Sequence, residues 1–320
     1  MYTEPTLSVI TGYYNKLQNL EDSIESILKQ SFQSFELIIF DDCSTDGTYE
    51  KLLEISTTDS RIRLLRHEAN IGFVKGLIEA IKVARGEYIA IHGSGDISLR
   101  DRLLKQKVFL DNHIGIGVVG CYYRNVKAGV EQSVFKNPNN DCFKEIIKRQ
   151  NVFSHGEVMF RKSIYDKIGG YRDFFKFAQD RDLWCRFSLH TEYHVLEEIL
   201  YERQHDDPNS VNNNKRKRVK QILFSDFAVQ SLKHREKYGH DLVDLYSVEA
   251  LGFRKRTVTT SNRLAYLGIL DILEGEGEFS AEIYRLINSE AISYRKIIFV
   301  LLYNKLISKS LLKRIIKYLK

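Results

Sequence analysis

The sequence predicts an α/β fold: an open, mostly parallel sheet with helices on both faces, followed by a helical C-terminal region. In the first hundred residues, short apolar runs alternate with stretches of helical periodicity. This repeated strand, helix, strand order joins parallel strands through right-handed crossovers. After residue 212 no strand pattern is clear, and helical periodicity dominates.

The first four predicted strands are short and rich in Ile, Leu, Val, Phe or Tyr. They are Leu7–Thr11, Phe35–Phe40, Ile62–Arg66 and Tyr88–His92. Between them, apolar residues at helical spacing predict helices at Leu20–Gln30, Thr48–Ile55 and Phe73–Ala84. Ligands of such sheets bind at the carboxyl ends of the strands, so the loops that follow these strands are where we expect a site.

From about residue 101 the pattern is mixed, and we expect it to complete the same domain. The predicted elements are a helix at Asp101–Leu110, a strand at Ile116–Tyr122, a polar loop at Lys136–Asp141 and a helix from Leu183 to Ser188. The stretch Pro208–Arg218 is polar and then basic, which is typical of a boundary or connector. We therefore predict one domain at residues 1–212 and a second region at 213–320.

Composition excludes several classes of protein. Apolar residues make up 43% of the 320 residues, charged residues 28% and aromatic residues 12%, which excludes disordered and fibrous chains. The four cysteines contain no C-x-x-C, which argues against a zinc ribbon or a disulfide framework and favours a reducing, cytoplasmic compartment. The N-terminus lacks a signal-peptide pattern, and the apolar run Ile297–Tyr303 is too short to span a bilayer. We expect neither export by a cleaved signal nor a membrane crossing.

Charge is distributed unevenly along the chain. Residues 1–214 carry 27 Lys and Arg against 31 Asp and Glu, whereas residues 215–320 carry 21 against 11. The last 25 residues place Lys305, Lys309, Lys313 and Lys317 four apart, which predicts a basic amphipathic helix. The second region is therefore expected to face an anionic partner, with peripheral contact at the inner face of the cell membrane as one form and packing on protein as the alternative. Nucleic acid is not expected, because no aromatic-interleaved groove accompanies the basic run at 215–218.

Acidic residues follow two of the predicted strands. Asp41 and Asp42 end the second strand, and their carboxylates either bind a base or ribose or cap the next helix. Asp96 follows the glycine-bracketed turn Gly93-Ser94-Gly95, where it either holds a cation on a diphosphate or caps a helix. The Gly115–Gly120 match to G-x-G-x-x-G lies where a strand is predicted, so we do not expect it to bind a dinucleotide.

Two later segments carry further candidates. Asp180 and Asp182 precede an apolar run and are helix N-terminal acids or, alternatively, supply a general base or a metal-binding D-x-D. His205 lies in a loop beside acids, where a histidine is either a ligand or a surface residue.

Taken together, six segments resemble glycosyltransferase family 2, a group of inverting, nucleotide-sugar-dependent enzymes with the Rossmann-like GT-A fold. The segments are SVITGYYN (8–15), SILKQSFQSFELIIFDDCSTDGT (26–48), ANIGF (69–73), ARGEYIAIHGSGD (84–96), HGEVMFRKSIYDKIGGYRDFFKFAQDRDLWCRF (155–187) and YERQH (201–205). The resemblance covers roughly residues 5–212 and implies that residues 1–212 are a catalytic domain.

The resemblance implies roles for individual residues. Tyr14 would stack on the donor base, and Asp42, with Asp41 adjacent, would hydrogen-bond it. The family's D-x-D-D metal motif falls on Gly93–Asp96, where only Asp96 remains acidic. Asp96 and His205 would hold Mg²⁺ or Mn²⁺, with Arg203 also at the donor.

The resemblance also implies a catalytic base and an acceptor site. Asp180 of the Gln179-Asp180 pair would be the base, and His155 and Glu157 would shape the acceptor pocket, unless they form only a structural loop. The implied activity is that of a hexosyltransferase using a nucleotide-sugar, a UDP-sugar above all, and a glycan or lipid-linked acceptor in polysaccharide or envelope synthesis. The alternative is a relative that binds the donor without catalysis, since two metal-motif acids are missing.

Overall fold

A computed structural model describes residues 5–137, 139, 142–204, 214–275, 278–308 and 310–311. The chain divides into two compact units, Met1–Asp207 and Pro208–Lys320. The strands are β1 (Leu7–Tyr13), β2 (Phe35–Asp41), β3 (Ile62–Arg66), β4 (Tyr88–Ile91), β5 (Ile97–Ser98), β6 (Ile116–Lys127), β7 (Val130–Phe135), β8 (Met159–Arg161) and β9 (Glu192–Gln204). The helices of the first unit are α1 (Leu20–Leu28), α2 (Thr48–Ser56), α3 (Phe73–Lys82), α4 (Arg102–Asn112), α5 (Phe143–Arg149), α6 (Lys162–Lys167) and α7 (Gln179–Phe187).

The first unit contains one sheet with the strand order β3-β2-β1-β4-β8-β6-β9-β5, and β7 pairs with β6. Strands β1 to β4 pair with one another in parallel, as the alternating pattern predicts. In the β1–β2 register, Tyr13 lies opposite Asp41, so both strands end at the same edge. The other half is mixed: β6 and β9 are parallel, whereas β8 is antiparallel to both β4 and β6. The predicted α/β sheet is confirmed.

Helices cover both faces of the sheet. Because side chains alternate along a strand, Leu7 and Val9 of β1 face one way and pack in a core with Leu20, Ile24 and Ile27 of α1. On the opposite face, α3 contacts β1 and β2. The Phe40 ring there leaves no room for a Cβ at Gly12 of β1 or at Gly76 of α3, the nearest ring atoms lying within 2.5 Å of where it would stand.

The second half of the first unit departs from the predicted bounds. Strand β6 continues to Lys127 and forms a hairpin with β7, whereas the predicted strand ended at Tyr122. Helix α7 begins at Gln179, four residues before the predicted start at Leu183, so Asp180 and Asp182 lie in its first turn, where acids interact favourably with the helix dipole. The Gly115–Gly120 segment runs into β6, and a Cβ on Gly120 would lie 2.7 Å from the Phe153 ring, so this glycine serves close packing.

The regular elements of the second unit, among its described residues, are all helices. Its elements are α8 (Lys215–Tyr238), α9 (Leu242–Tyr246), a 3₁₀ helix (Ser247–Phe253), α10 (Val258–Glu274), α11 (Glu278–Asn288) and α12 (Tyr294–Tyr303). Leu264, Ile283 and Phe299 belong to its core. The basic run at 215–218 opens α8, capped by the Asn214 side chain, so it is helix and not connector.

The predicted basic helix over the last 25 residues is interrupted. Helix α12 ends at Tyr303, and Lys305 has φ 60°, the left-handed conformation that ends many helices. Lys309, Lys313 and Lys317 lie outside the described residues. No helix in the described part of the chain is long and apolar enough to cross a bilayer.

Candidate active site

The loops after β1 and β2 are tied together at the carboxyl edge of the sheet. The backbone N–H of Asn15 donates to Ser44 Oγ (2.9 Å), and the backbone N–H of Thr45 donates to Asn15 Oδ1 (2.8 Å). Asn15 has φ 45°, a conformation that asparagine tolerates better than most residues. The two loops therefore form one structured edge, as the strand order predicts.

Asp42 is buried, and its carboxylate is used by the protein. Oδ1 lies 2.9 Å from Nδ1 of His67 and accepts from the backbone N–H of Ile71 (2.9 Å). Oδ2 accepts from the backbone N–H of Gly72 (2.9 Å). The ANIGF segment at 69–73 is therefore held to the end of β2 by this carboxylate.

Asp41 lies in the opposite situation, although it is the adjacent residue. Its Oδ2 accepts from the backbone N–H of Ser44 (3.0 Å), but its buried Oδ1 has no hydrogen-bond partner among the described residues. A buried acceptor without a donor costs about 1–3 kcal/mol. This oxygen is therefore suited to a donor group supplied by a ligand.

Tyr14, predicted to stack on a base, follows β1 and has 52% of its surface exposed, whereas the neighbouring Tyr13 has 1%. Burial raises the pKa of Tyr13 to about 12. Of the two tyrosines, only Tyr14 offers an accessible ring face at this edge.

Asp96 is held by β9. Its Oδ2 accepts from the Tyr201 hydroxyl (2.6 Å), and its Oδ1 accepts from the backbone N–H of Gln204 (2.8 Å). Burial raises the pKa of Asp96 to about 6, and the nearby cations Lys16 and Arg203 partly oppose this. The arrangement brings two protein cations close to the one acid that remains of the motif.

Beneath Asp96 lies a second layer of buried polar groups. His92 contacts the backbone oxygen of Asp96 through Nε2 and Ser98 Oγ through Nδ1, both at 3.0 Å. A carbonyl oxygen only accepts, so Nε2 carries the proton and Nδ1 accepts from the Ser98 hydroxyl. Arg102 is also buried and donates to Ser98 Oγ (2.8 Å) and to the backbone oxygen of Ile91 (2.7 Å).

At Gly93, the first position of the motif, this arrangement leaves no room for a side chain. A Cβ added to Gly93 would lie 2.2 Å from Asp96 Oδ2 and 3.2 Å from the Tyr201 hydroxyl. Among the described residues, no three His, Cys, Asp or Glu side chains are grouped so that they would hold a metal ion. One carboxylate fits Mg²⁺ only when the substrate's own phosphates supply further oxygens.

The remaining donor-side candidates are Arg203 and His205. Arg203 lies near the end of β9, where its Nε–H donates to Asn125 Oδ1 (2.8 Å) and its guanidinium lies over the Tyr123 ring, 5.3 Å from the centroid. His205 lies outside the described residues.

Asp180 lies in the first turn of α7. Its Oδ2 accepts from Asn151 Nδ2 (2.6 Å), while Oδ1 accepts no hydrogen bond from the described residues. The preceding Ala178 and the nearby His155 have φ 55° and 84°. Non-glycine residues in this region are strained and cluster at functional sites.

His155 connects the two sides of the site, but Glu157 does not. His155 Nε2 lies 2.7 Å from the Tyr171 hydroxyl, and its ring is 6.0 Å from that of Phe73, which itself neighbours Phe40 of β2. Burial lowers the pKa of His155, an effect that nearby Asp180 opposes. Glu157 is buried and both its oxygens accept from Ser154, at 2.7 Å from its N–H and 2.6 Å from its hydroxyl. This placement favours the structural alternative for Glu157.

A polar cleft of about 520 Å³ opens beside Gly95. Its lining includes Asp22 of α1, Arg124 of β6, Glu131 of β7 and Glu202 of β9. Arg124 pairs with Glu202 and Glu131 within this lining, so Asp22 is the acidic side chain there that Arg124 does not engage.

Several site residues were missed from sequence. Tyr201 and Gln204 hold Asp96, Lys16 lies near it, and Asn151 holds Asp180. Tyr201 lies in the YERQH segment, and its spacing from Arg203 would place both on the same strand face. No sequence signal identifies Asn151, since only the fold brings it to α7.

Comparisons with known proteins point to one family. The family model described as "Glycosyl transferase family 2" matches residues 8–169. EpsE of Bacillus subtilis, named as a glycosyltransferase, is 34% identical over 215 residues, which are 64% of this chain and 75% of EpsE. Escherichia coli WfgD, named as a UDP-Glc:alpha-D-GlcNAc-diphosphoundecaprenol beta-1,3-glucosyltransferase, is 39% identical over 109 residues, 34% of this chain and 42% of WfgD.

Among solved structures, the mannosyltransferase PcManGT of Pyrobaculum calidifontis, in complex with GDP-Man and Mn²⁺, superimposes with a TM-score of 0.57. It is 16% identical, and the match covers 96% of this chain and 82% of that chain. At this identity the likeness shows the fold, which is GT-A.

Proposed function

Because this chain belongs to glycosyltransferase family 2, we propose that it is an inverting transferase that moves a sugar from a nucleotide-sugar to a hydroxyl of a glycan or lipid-linked acceptor. The single observation that carries this proposal is the hydrogen bonding of the Asp180 carboxylate. It presents one oxygen without a protein partner among the described residues, while Asn151 holds the other. Polysaccharide or envelope synthesis is the proposed setting, as the name of WfgD suggests.

The proposed reaction needs one base. Asp180 would take the proton of the acceptor hydroxyl as its oxygen forms a bond to the anomeric carbon of the donor sugar. The bond from that carbon to the phosphate oxygen breaks on the opposite face, and the nucleoside diphosphate leaves with the electron pair. His155 and Tyr171 border this position and would orient the acceptor. A positioned base of this kind contributes about 10² to 10⁴ in rate.

The identity of the donor base is proposed from the hydrogen bond that it would give to Asp41. Its buried Oδ1 needs a hydrogen-bond donor, and the ring N–H of uracil, thymine or guanine would supply one. Tyr14 would stack on the base. We therefore propose a UDP-sugar first, with dTDP- and GDP-sugars as the other members of the class.

At the diphosphate, Asp96 is the proposed ligand for Mg²⁺ or Mn²⁺, with His205 as a second ligand. A bound cation would neutralise charge on the leaving diphosphate. Arg203 and Lys16 supply protein cations near Asp96 and would bind the same phosphates.

The donor proposal is tested by calorimetric titration with UDP-, dTDP-, GDP- and ADP-sugars, with and without Mn²⁺. We expect at least one of the UDP-, dTDP- and GDP-sugars to bind more tightly than the ADP-sugar, whose base carries no ring N–H. Asp96→Ala should remove the dependence on Mn²⁺. Absence of binding across the panel would contradict the proposed donor site.

The role of Asp180 is tested by Asp180→Asn. We expect kcat to fall by about 10² to 10⁴ with an unchanged donor Kd, because the base is lost and the donor contacts remain. The contrasting variant is Asp182→Asn two residues later, where the buried carboxylate is bonded to Arg172 and Arg186. That change should lower the unfolding midpoint followed by the fluorescence of Trp184, the single tryptophan. If the native chain binds the donor but transfers no sugar to any acceptor, the non-catalytic alternative is correct.

A further inference from the structure

Three arginines from three helices of the second unit surround one small cavity. The cavity has a volume of about 290 Å³, and its lining includes Arg218 of α8, Arg263 and Tyr266 of α10, and Arg295 of α12. We call it the arginine pocket. Neither the family match nor the proposed transfer reaction accounts for it, since the match ends at residue 169.

The pocket holds positive charge that the described protein does not neutralise. None of the three arginines forms an ion pair with a described residue, and no Asp or Glu lines the cavity. Other arginines of the same unit are paired: Arg216 with Glu282, Arg235 with Asp241, and Arg254 with Asp226. Like charges around one cavity repel, so the arrangement becomes favourable when an anion enters.

The chemistry of the lining favours phosphate as that anion. A guanidinium presents a planar fork of N–H donors that matches phosphate oxygens in a bidentate contact. Arg295 is already oriented: its Nε–H donates to the Tyr294 hydroxyl (2.9 Å), and its guanidinium lies 5.7 Å from the Tyr266 ring centroid. Cation–π contact of this kind holds a guanidinium in place without removing its charge.

The surface beside the pocket indicates where the phosphate comes from. Tyr266 lines the pocket, the Tyr294 hydroxyl accepts from Arg295 Nε, and both tyrosines are about half exposed. Tyrosines with an apolar body and a polar tip are enriched at membrane–water interfaces. A phosphate in the pocket and apolar chains beside it would be parts of the same molecule.

We infer that the arginine pocket binds the phosphate of an anionic lipid headgroup. The inference does not depend on the proposed transfer reaction. It also adds α8, α10 and α12 to the terminal lysines as a place of anionic contact in the second region.

The test is flotation of the full chain, without donor, on vesicles of phosphatidylcholine with and without phosphatidic acid. The pocket variant carries Arg218→Gln, Arg263→Gln and Arg295→Gln. The control carries Lys233→Gln, Arg256→Gln and Arg285→Gln, which removes the same charge from exposed side chains of the same unit. We expect the native chain to bind the vesicles that contain phosphatidic acid. The pocket variant should bind them roughly 100-fold more weakly and the control within about threefold of native.

Equal loss in the two variants would overturn the inference, because general charge and not the pocket would then explain binding. A competition arm with inorganic pyrophosphate separates the sources of phosphate. Binding of pyrophosphate that depends on the pocket, without any preference for the phosphatidic acid vesicles, would overturn the assignment to a lipid. If the triple variant fails to fold by circular dichroism, Arg263→Gln alone, at an exposed position, should still weaken vesicle binding by about fivefold.

Discussion

His92 is a buried histidine at the end of β4 that remains neutral in the folded chain. Burial lowers its pKa to about 3, and the neighbouring Arg102 guanidinium acts in the same direction. Its Nε2–H and Nδ1 are used by the Asp96 carbonyl and the Ser98 hydroxyl. The imidazole therefore positions the Asp96 turn and does not act as an acid or base in transfer.

The neutral state of His92 predicts how stability depends on pH. As pH falls below about 6.5, the unfolded chain binds a proton at this histidine and the folded chain does not, so the free energy of unfolding decreases. The loss between pH 7 and pH 5 should be about 2 kcal/mol smaller in His92→Asn than in the native chain. Urea unfolding followed by Trp184 fluorescence measures it. The control is His240→Asn, which removes an exposed histidine of the second unit and leaves the surroundings of His92 unchanged. Identical losses in the native chain and His92→Asn would show that the histidine is not held neutral.

Adjacent residues in one motif can have opposite environments, and sequence does not reveal which. Asp41 and Asp42 were predicted together, yet only Asp41 keeps a buried oxygen without a partner among the described residues. The difference arises because the carboxylate of Asp42 meets the backbone N–H groups of Ile71 and Gly72. These donors come from a loop 29 and 30 residues away in sequence, and their approach is a property of the fold.

At the scale of the element, the turn between β4 and β5 depends on a residue with no side chain. Gly93 donates its N–H to the Tyr201 hydroxyl (2.9 Å), and a Cβ there would overlap Asp96. Gly93→Ala should therefore displace Asp96 or Tyr201, lower the free energy of unfolding by about 1–3 kcal/mol and weaken donor binding. The control is Gly115→Ala, which has no heavy atom within 4 Å of its added Cβ. Both are measured by Trp184 unfolding and donor titration, and unaltered donor binding in Gly93→Ala would contradict the assignment of Asp96 to the donor site.

The two halves of the sheet were not equally predictable. Strands β1, β2 and β4 are buried along their whole length, and such continuous apolar runs are readily recognised. β7 is largely exposed, and β9 alternates charged with buried residues over 13 positions. Neither pattern differs clearly from a polar loop or a helix surface. Tyr201 and Gln204, which hold Asp96, lie on β9, and of the described β9 residues only Arg203 was predicted at the donor site, through the family resemblance.

At the scale of the whole molecule, the two parts of the chain differ in the sign of their net charge. Residues 1–214 contain the described donor-site and base candidates and have a net charge of −4, whereas residues 215–320 have a net charge of +10. Each unit has its own buried apolar cluster. A substitution inside the second cluster should therefore weaken the proposed membrane binding more than it slows sugar transfer.

Asp271 provides the test of this separation. It is fully buried in α10, where Oδ1 accepts from Lys215 Nζ of α8 and Oδ2 accepts from the backbone N–H of Ser280 in α11, both at 2.8 Å. Asp271→Ala leaves the buried N–H of Ser280 without its acceptor, so we expect the second unit to lose about 1–3 kcal/mol. Glu274→Ala is the matched control, because Glu274 pairs with the same lysine (2.9 Å) from an exposed position and should cost at most about 1 kcal/mol.

Limited proteolysis reports on the second unit, while Trp184 fluorescence and donor titration report on the first. Because the donor residues and Trp184 lie in the first unit, Asp271→Ala should leave the Trp184 midpoint and the donor Kd unchanged. An equal shift in both units would mean that the chain unfolds as one cooperative body and that the second unit contributes to holding the donor site.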